Sequence, residues 1–585
     1  MCGIISVLTF NQKVSDCLIT SLEKLEYRGY DSAGIGYISE KSKIERIRTV
    51  GRIAKLKTAV ENLNINTHIG IGHTRWATHG KIVEKNCHPH IANGVAIVHN
   101  GIIENYGKLK NWLIEKGEIF ESETDSEVIA KLISHYIMQG FSFLDSVKET
   151  ISEIEGTYAI AAIYEKEPNI LIGVKKESPM VVGISPDKQS IFIASDALAL
   201  STLSDKIMYL EERDLIICEK KENIEYKIFD SSFKEAQRAI VSNKAPVDVN
   251  KNEFEDFMLK EILEGPTVAL TTFNKFNKID ISKYKSVSFI ACGTSYYAGV
   301  LAKYWLEDFA NIHADVEIAS EFRYRNPVLS KETLYVFISQ SGETIDTLCA
   351  MRKVKESGLG TMAIVNVETS SIAREADYKI NTFAGPEIGV ASTKSFIAQA
   401  MSLLLLCVDK SKIDINAIVE AMNTVVNNKE NIKKIADKIK GSKSLLYIGR
   451  GTSYPIALEG ALKAKELSYI SAEGYPSGEI KHGPIALVDE NVYSIILAPK
   501  DRYFEKTISN AQEILARNGK VLFITNNRVE LNFDGMDFMY IPNIDQTLQP
   551  FILTVAVHLL AYYIAKLKGL DVDKPRNLAK SVTVE

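Results

Sequence analysis

The chain opens Met1-Cys2-Gly3-Ile4, which sets a thiol one residue from the start. A second residue this small lets the initiator methionine be removed, leaving Cys2 with a free α-amine. That amine titrates near ~8 and accepts protons at neutral pH, so one residue would supply a nucleophile together with its base. Four further segments carry suitable polar residues: Tyr27–Gly34, His73–Gly80, His99–Gly101 and Glu123–Asp125. Attack on the amide of a zwitterion such as glutamine needs a cation for the α-carboxylate, an anion for the α-ammonium and donors for the oxyanion. Arg75, Asp125, and the Asn100 side chain with the Gly101 backbone N–H can fill those places in that order. His73, His79, His88, His90 and His99 show neither an i,i+4 helical pair nor a Cys/His ligand pattern. They are expected to be structural, and no metal is expected.

A second group of residues suits different chemistry. Ser339-Gln340-Ser341-Gly342-Glu343-Thr344 offers three hydroxyls and a glycine ahead of a helix, a cradle for an anion such as phosphate. Gly389–Lys394 is a weaker stretch of the same kind and could line the same pocket. Glu459, Lys463 and Glu466 share one face of a helix by their spacing of four and three. The loop Ser477–Pro484 presents His482, the side chain best suited to proton transfer near neutrality. Lys580 lies in the tail Asp571–Glu585, where a lysine becomes a Schiff-base nucleophile only if the tail docks and desolvates its amine.

The elements that must position these residues are those of a several-domain protein. At 585 residues the chain exceeds one core, and 46% hydrophobic and 24% charged residues are ordinary for a globular protein. A net charge of −5 without long charged blocks recommends neither nucleic acid nor an anionic membrane as partner. Seven scattered cysteines without a C-x-x-C pair, and no signal-peptide pattern, point to the cytoplasm. The apolar runs Ala398–Val408 and Phe551–Ala565 are too short for membrane spans and read as buried helices.

Short β-prone runs broken by helices fill the region up to Phe229, as in an α+β layered domain. A polar segment follows. From about Ser286 the pattern becomes strand, Gly/Ser turn and amphipathic helix, and it occurs twice. Ser288–Tyr296 matches Leu445–Tyr454, with Gly293 and Gly451 at an offset of 158 residues, and two further strands repeat at 158 and 159. This is a duplicated α/β doubly wound parallel-sheet domain. The second copy has Leu497-Ala498-Pro499-Lys500 where the first has its cradle, so one phosphate site is expected, in the first copy. The expected boundaries are 2–229 for the first domain, 230–264 for a linker, 265–425 and 426–570 for the two copies, and 571–585 for the tail.

Cys2-Gly3-Ile4, Tyr27–Gly34, His73–Gly80, His99–Gly101 and Thr124-Asp125 resemble the class II (N-terminal nucleophile, Ntn-hydrolase-like) glutamine amidotransferases. Gly293-Thr294-Ser295, Ser339–Thr344 and the repeat resemble tandem sugar isomerase (SIS) domains. With Lys481–Pro484 and Pro575–Glu585, the whole chain resembles the isomerizing glutamine–fructose-6-phosphate aminotransferase family.

The resemblance implies a mechanism. Cys2 attacks L-glutamine, held by Arg75, Thr78, His79 and Asp125, while Asn100 and Gly101 hold the oxyanion. Ammonia passes through an internal channel gated by Trp76. D-Fructose 6-phosphate is held by Ser339, Gln340, Ser341 and Thr344, with Cys292, Gly293, Thr294, Ser295, Val390, Ser392 and Ala579 around the sugar. Lys580 forms a Schiff base, and Glu466 moves the proton between C1 and C2 with Lys463 nearby. His482, lent by the partner subunit of a homodimer, assists ring opening. The product is glucosamine 6-phosphate, and no cofactor is implied. Two rival readings fit less well. A phosphoribosyl diphosphate acceptor is disfavoured by the duplicated SIS pattern, and a sugar-phosphate sensor would have lost Cys2, Glu466, His482 and Lys580. The segment Phe273–Lys285 looks shorter than in the family, and Cys87 has no assigned role.

Overall fold

The computed structural model describes residues 2–63, 65–243, 251–527 and 534–582. Met1, residues 244–250 of the expected linker (Pro246 among them) and tail residues 583–585 lie outside them. The fold divides into two compact units, the first taking the chain up to about residue 249 together with the residues after Lys580, the second running from about 250 to Lys580.

The first unit is built on two antiparallel sheets, of eight and seven strands. Gly3–Thr9 lies inside the larger sheet, between Ile69–Arg75 and Ser190–Ala194. Its side chains alternate across the sheet, as the period of two demands. Ile4 and Leu8 face the second sheet, in a core shared with Val98, Ala159 and Ile163. Ile5 and Val7 face the helix Val14–Leu25 through Leu18 and Leu22. The second sheet covers its other face with the helices Glu127–Met138 and Phe143–Glu153. A strand buried on both faces holds its backbone rigidly, and Cys2 sits at its head.

Parts of the 230–264 segment belong to regular structure. Glu235–Ala236 and Ile240–Ser242 each extend one of the two sheets as an edge strand. Also within the 230–264 segment, Phe257–Leu263 is a helix.

The second unit holds two five-stranded parallel sheets. In the first copy Ser286–Ala291 pairs with His313–Ile318 on one side and Thr333–Ser339 on the other. In the second, Ser444–Gly449 pairs with Ser471–Pro476 and Val492–Leu497. The strand order is the same in both. In such a sheet the chain departs in opposite directions after two adjacent strands, and ligands bind in the crevice where their C-terminal ends diverge. In the first copy those ends run into Cys292–Ser295 and Gln340–Thr344.

The helices Gly293–Trp305, Lys394–Cys407, Ser453–Ser468 and Gln549–Leu567 form one apolar core common to both copies. Trp305 stacks on Phe551 there at 6.2 Å. Gln549–Leu567 is long and apolar enough to cross a membrane, but 89% of its most apolar window is buried within the fold.

Candidate functional site

In the first unit the Cys2 thiol lies against the Ile69–Arg75 strand end. The Trp76 backbone N–H donates to Cys2 Sγ at 3.3 Å. Burial pushes the thiol pKa up, against the hydrogen bond from Trp76 and the charge of Arg75. A thiol held protonated needs a base to become a nucleophile.

The Cys2 carbonyl accepts from Asn100 Nδ2 at 3.1 Å and from Arg28 Nε at 3.3 Å. Which end of the Asn100 amide faces Cys2 is decided by His73. His73 Nε2 lies 3.0 Å from the His99 carbonyl and 3.1 Å from Asn100 Oδ1, so it must carry the proton and donate to both. The Asn100 NH2 is thereby turned toward Cys2. Burial drives His73 down to about 3, so it stays neutral. His88, His90 and His99 are lowered by the same cause. Gly101 has φ +137°, and a Cβ there would lie 2.0 Å from the Thr157 carbonyl oxygen. Only glycine fits at this position.

Arg75, Asp125 and His79 lie together at one rim. Arg75 donates to the carbonyls of His79 and Gly80, at 2.5 and 3.3 Å, and so braces the loop that carries Thr78 and His79. Asp125 is buried and accepts from the Ile103 N–H at 2.8 Å; His79 Nδ1 is 3.9 Å from its other oxygen. Thr78 is exposed. Trp76 meets Tyr30 edge to face at 5.9 Å. Asp31, from the same segment as Tyr30, accepts the Ala77 N–H, which anchors the residue after Trp76. His73, Arg28 and Asp31 all lay within quoted segments but were assigned no role from sequence.

In the second unit Ser339 Oγ accepts from the Gly342 N–H at 3.0 Å and lies 2.9 Å from Thr344 Oγ1. Ser341 Oγ accepts from the Glu343 N–H at 3.2 Å. Gly342 has φ +64°, and a Cβ there would meet Ser370 Oγ at 1.9 Å. The turn thus closes tightly ahead of the helix Ile345–Glu356, with its hydroxyls and N–H groups gathered at one end. Gln340 continues the same loop, its carbonyl accepting from the Asn366 N–H at 3.1 Å. Across the crevice Cys292 precedes the helix Gly293–Trp305, and Gly293, at φ +54°, makes the turn with open space around it. In the second copy the equivalent Gly451 faces the Tyr503 ring, which would lie 2.6 Å from a Cβ there. The aromatic ring covers that turn.

Both copies reach the first copy's crevice. Thr294 Oγ1 donates to Glu459 Oε2 at 3.0 Å, and Ser295 Oγ accepts from Gln399 Nε2 at 3.0 Å. Lys463 Nζ is 2.6 Å from Glu466 Oε2 and 3.6 Å from Glu459 Oε1. Burial alone would lower the Lys463 pKa, but the two carboxylates reverse this and raise it.

The tail docks. The Asp573 carboxylate accepts the N–H groups of Phe257 and Met258 at 3.1 and 2.8 Å, and its carbonyl accepts from Val390 N at 2.9 Å. Arg576 lies over the Tyr469 ring at 4.2 Å. Past half-buried Ala579, the Lys580 amine pairs with Glu387 and donates to the Gly389 carbonyl at 2.8 Å. The Lys580 and Glu387 side chains are 3% and 0% exposed. Glu387 also accepts from Thr393 N, Ser395 N and Ser392 Oγ at 2.9, 3.0 and 2.9 Å. Burial opposes its charge, but Lys580 outweighs that and holds the carboxyl below its usual range. Glu261 accepts the Ile388 and Gly389 N–H groups, and burial followed by the Glu387 charge pushes its pKa up. Neither glutamate was singled out from sequence. His482 is exposed at the end of a short 3-10 turn, Ser477–His482, away from this cluster in sequence and without a resolved partner in it.

The glutamine amidotransferase domain family matches residues 73–202, and the SIS domain family matches 280–408 and 438–565. The chain is 43% identical over 613 residues to the glutamine–fructose-6-phosphate aminotransferase [isomerizing] of Bartonella henselae, covering all of both chains. It is 44% identical over 621 residues to the protein of the same name from Acinetobacter baylyi, again over all of both. Among solved structures it resembles the C-terminal domain of glucosamine-fructose-6-phosphate aminotransferase from Francisella tularensis. That match has 39% identity and a TM-score of 0.53, and covers 56% of this chain and 100% of the other.

Proposed function

This chain belongs to the isomerizing glutamine–fructose-6-phosphate aminotransferase family, and from that premise we propose how its two sites divide the reaction. The first unit releases ammonia from glutamine. Arg75 takes the α-carboxylate and Asp125 the α-ammonium, with Thr78 and His79 closing the rim. Once Met1 is removed, the Cys2 α-amine takes the thiol proton and the thiolate attacks the amide carbon. Asn100 Nδ2 and the Gly101 N–H stabilise the oxyanion. The C–N bond breaks with a proton returned to nitrogen, giving ammonia and a thioester that water hydrolyses to glutamate. Ammonia reaches the second site by an internal channel with Trp76 as its gate.

The second unit holds fructose 6-phosphate. Ser339, Gln340, Ser341 and Thr344 bind the phosphate, and Cys292–Ser295, Val390, Ser392 and Ala579 surround the sugar. His482 of a second copy opens the ring, and the homodimer works in the cytoplasm, where the seven unpaired cysteines are at home. Lys580 yields its proton to Glu387 and attacks the C2 ketone, and water leaves as the imine forms. Ammonia then displaces the lysine nitrogen at C2. Glu466 carries a proton from C1 to C2, with Lys463 steadying its charge, and glucosamine 6-phosphate results.

The observation that carries this reading is the docked tail. It brings a desolvated lysine amine against the segment of Val390 and Ser392. The test is glucosamine 6-phosphate formation from fructose 6-phosphate and glutamine by the wild type, Cys2→Ala and Lys580→Met, with borohydride trapping of the sugar. Product and a trapped adduct are expected from wild type. Cys2→Ala should trap sugar without making product, and Lys580→Met should do neither. A Lys580→Met protein that still traps the sugar would end the assignment.

A further inference from the structure

We propose that His558 is a positioning residue of the isomerase site, holding Glu459 so that Lys463 stays on Glu466. The inference rests on the reading above, in which Glu466 moves the proton between C1 and C2.

His558 stands in the middle of the apolar helix Gln549–Leu567 and is 0% exposed. A buried imidazole is costly unless it is hydrogen-bonded. Its Nε2 lies 3.0 Å from Glu459 Oε1, and a carboxylate only accepts, so Nε2 carries the proton. Nδ1 is buried without a hydrogen-bond partner, and the Phe396 ring flanks the imidazole at 6.3 Å. The single hydrogen bond of this histidine is therefore directed at Glu459.

Glu459 is itself fully buried, and each of its oxygens has one close donor. Thr294 takes Oε2, and His558 takes Oε1. Lys463 stands between this carboxylate and that of Glu466, one turn away on either side, yet it is a full ångström nearer to Glu466. Two carboxylates compete for one ammonium, and the one already satisfied by other donors competes less. His558 is one of those donors. Without it, Glu459 Oε1 would have only Lys463 to satisfy it in a site closed to water, and the ammonium would be drawn off Glu466. The proton-moving carboxylate would lose the charge-assisted partner that steadies it.

Two variants of the full chain separate this role from simple packing. His558→Gln keeps an N–H donor of similar reach, and His558→Leu fills the volume without one. For His558→Leu we expect kcat for glucosamine 6-phosphate to fall about tenfold or more, with KM for fructose 6-phosphate within about twofold. His558→Gln should keep at least about half the wild-type kcat. A residue that merely packs predicts the opposite order, since leucine suits an apolar helix better than glutamine. Hydrogen-exchange protection of the strand Ser444–Gly449, in the same unit as His558, reports folded protein in each case. If His558→Leu does not fold, His558→Asn, with its amide one methylene short, replaces it with the same expectation. A leucine variant at wild-type kcat, or a glutamine variant that falls with it, overturns the inference alone. A wild type that makes no glucosamine 6-phosphate overturns the functional reading and the inference together.

Discussion

Replacing Glu387 by glutamine removes one charge from the place where the tail is fastened. The isostere can keep its carbonyl toward the N–H groups of Thr393 and Ser395, and its amide can donate to Ser392. It cannot accept from Lys580. The amine retains the Gly389 carbonyl but faces an N–H donor where it had a carboxylate. Breaking a buried pair by removing one partner costs about 3–5 kcal/mol. With these other contacts retained, the lower end applies, about 3 kcal/mol, or somewhat over a hundredfold in local opening. Hydrogen exchange followed by mass spectrometry reads this directly, in peptides from 387–395 and 571–582. Both should lose about a hundredfold protection at neutral pH, while the strand Gly3–Thr9 in the other unit keeps its own. The sign with pH follows from the wild-type carboxyl, held below its usual range by Lys580. The contribution is fully present above the ordinary carboxylate pKa and is lost as pH falls through the depressed one. Glucosamine 6-phosphate synthesis should fall with the protection. Less than a threefold change in exchange would mean that the tail is held by Asp573 and Arg576, and the argument from Glu387 would be wrong.

Three further outcomes follow from the same geometry. His73→Phe frees the Asn100 amide to turn, so kcat for glutamine hydrolysis should fall about 10- to 100-fold while KM for glutamine changes little. Because burial keeps His73 neutral down to about 3, wild-type hydrolysis between pH 5 and 8 should show no limb that disappears in His73→Phe; such a limb would refute the neutral assignment. Ser339→Ala leaves the Gly342 N–H without its acceptor and loosens the turn, so KM for fructose 6-phosphate should rise about tenfold or more, with a smaller loss in kcat. An unchanged KM would remove Ser339 from the phosphate cradle.

The parts legible in sequence were those with local or periodic signatures. The duplicated sheet could be read because buried parallel strands are short apolar runs ended by Gly/Ser turns, and both copies keep that rhythm at one offset. Cys2, Asn100, Gly101 and Ser339–Thr344 could be singled out as candidates because the chemistry they offer is concentrated in a few adjacent residues. His73 could not be separated from the other histidines. Its role depends on a strand of one sheet meeting a strand of the other, and no spacing encodes that contact. Glu261 and Glu387 are single glutamates in unremarkable contexts; Glu387 is picked out only by a lysine that reaches it from the far end of the unit, and Glu261 only by the backbone beside it. His558 was hidden for a further reason: the helix around it is so apolar that its meaning was exhausted by burial. The strands at 235–242 were missed because two or three residues on a sheet edge carry no period to detect.

The Tyr503 ring over the Gly451 turn sets the two copies apart. The two copies carry equivalent turns at Gly293 and Gly451, and in the second a single aromatic side chain covers the turn. The helix after that turn instead reaches the first copy, where Glu459 accepts from Thr294. Each half thus depends on the other for its core and for this contact. A gene cut between the copies should encode two fragments that are inert apart and active when mixed, with their common apolar core as the glue.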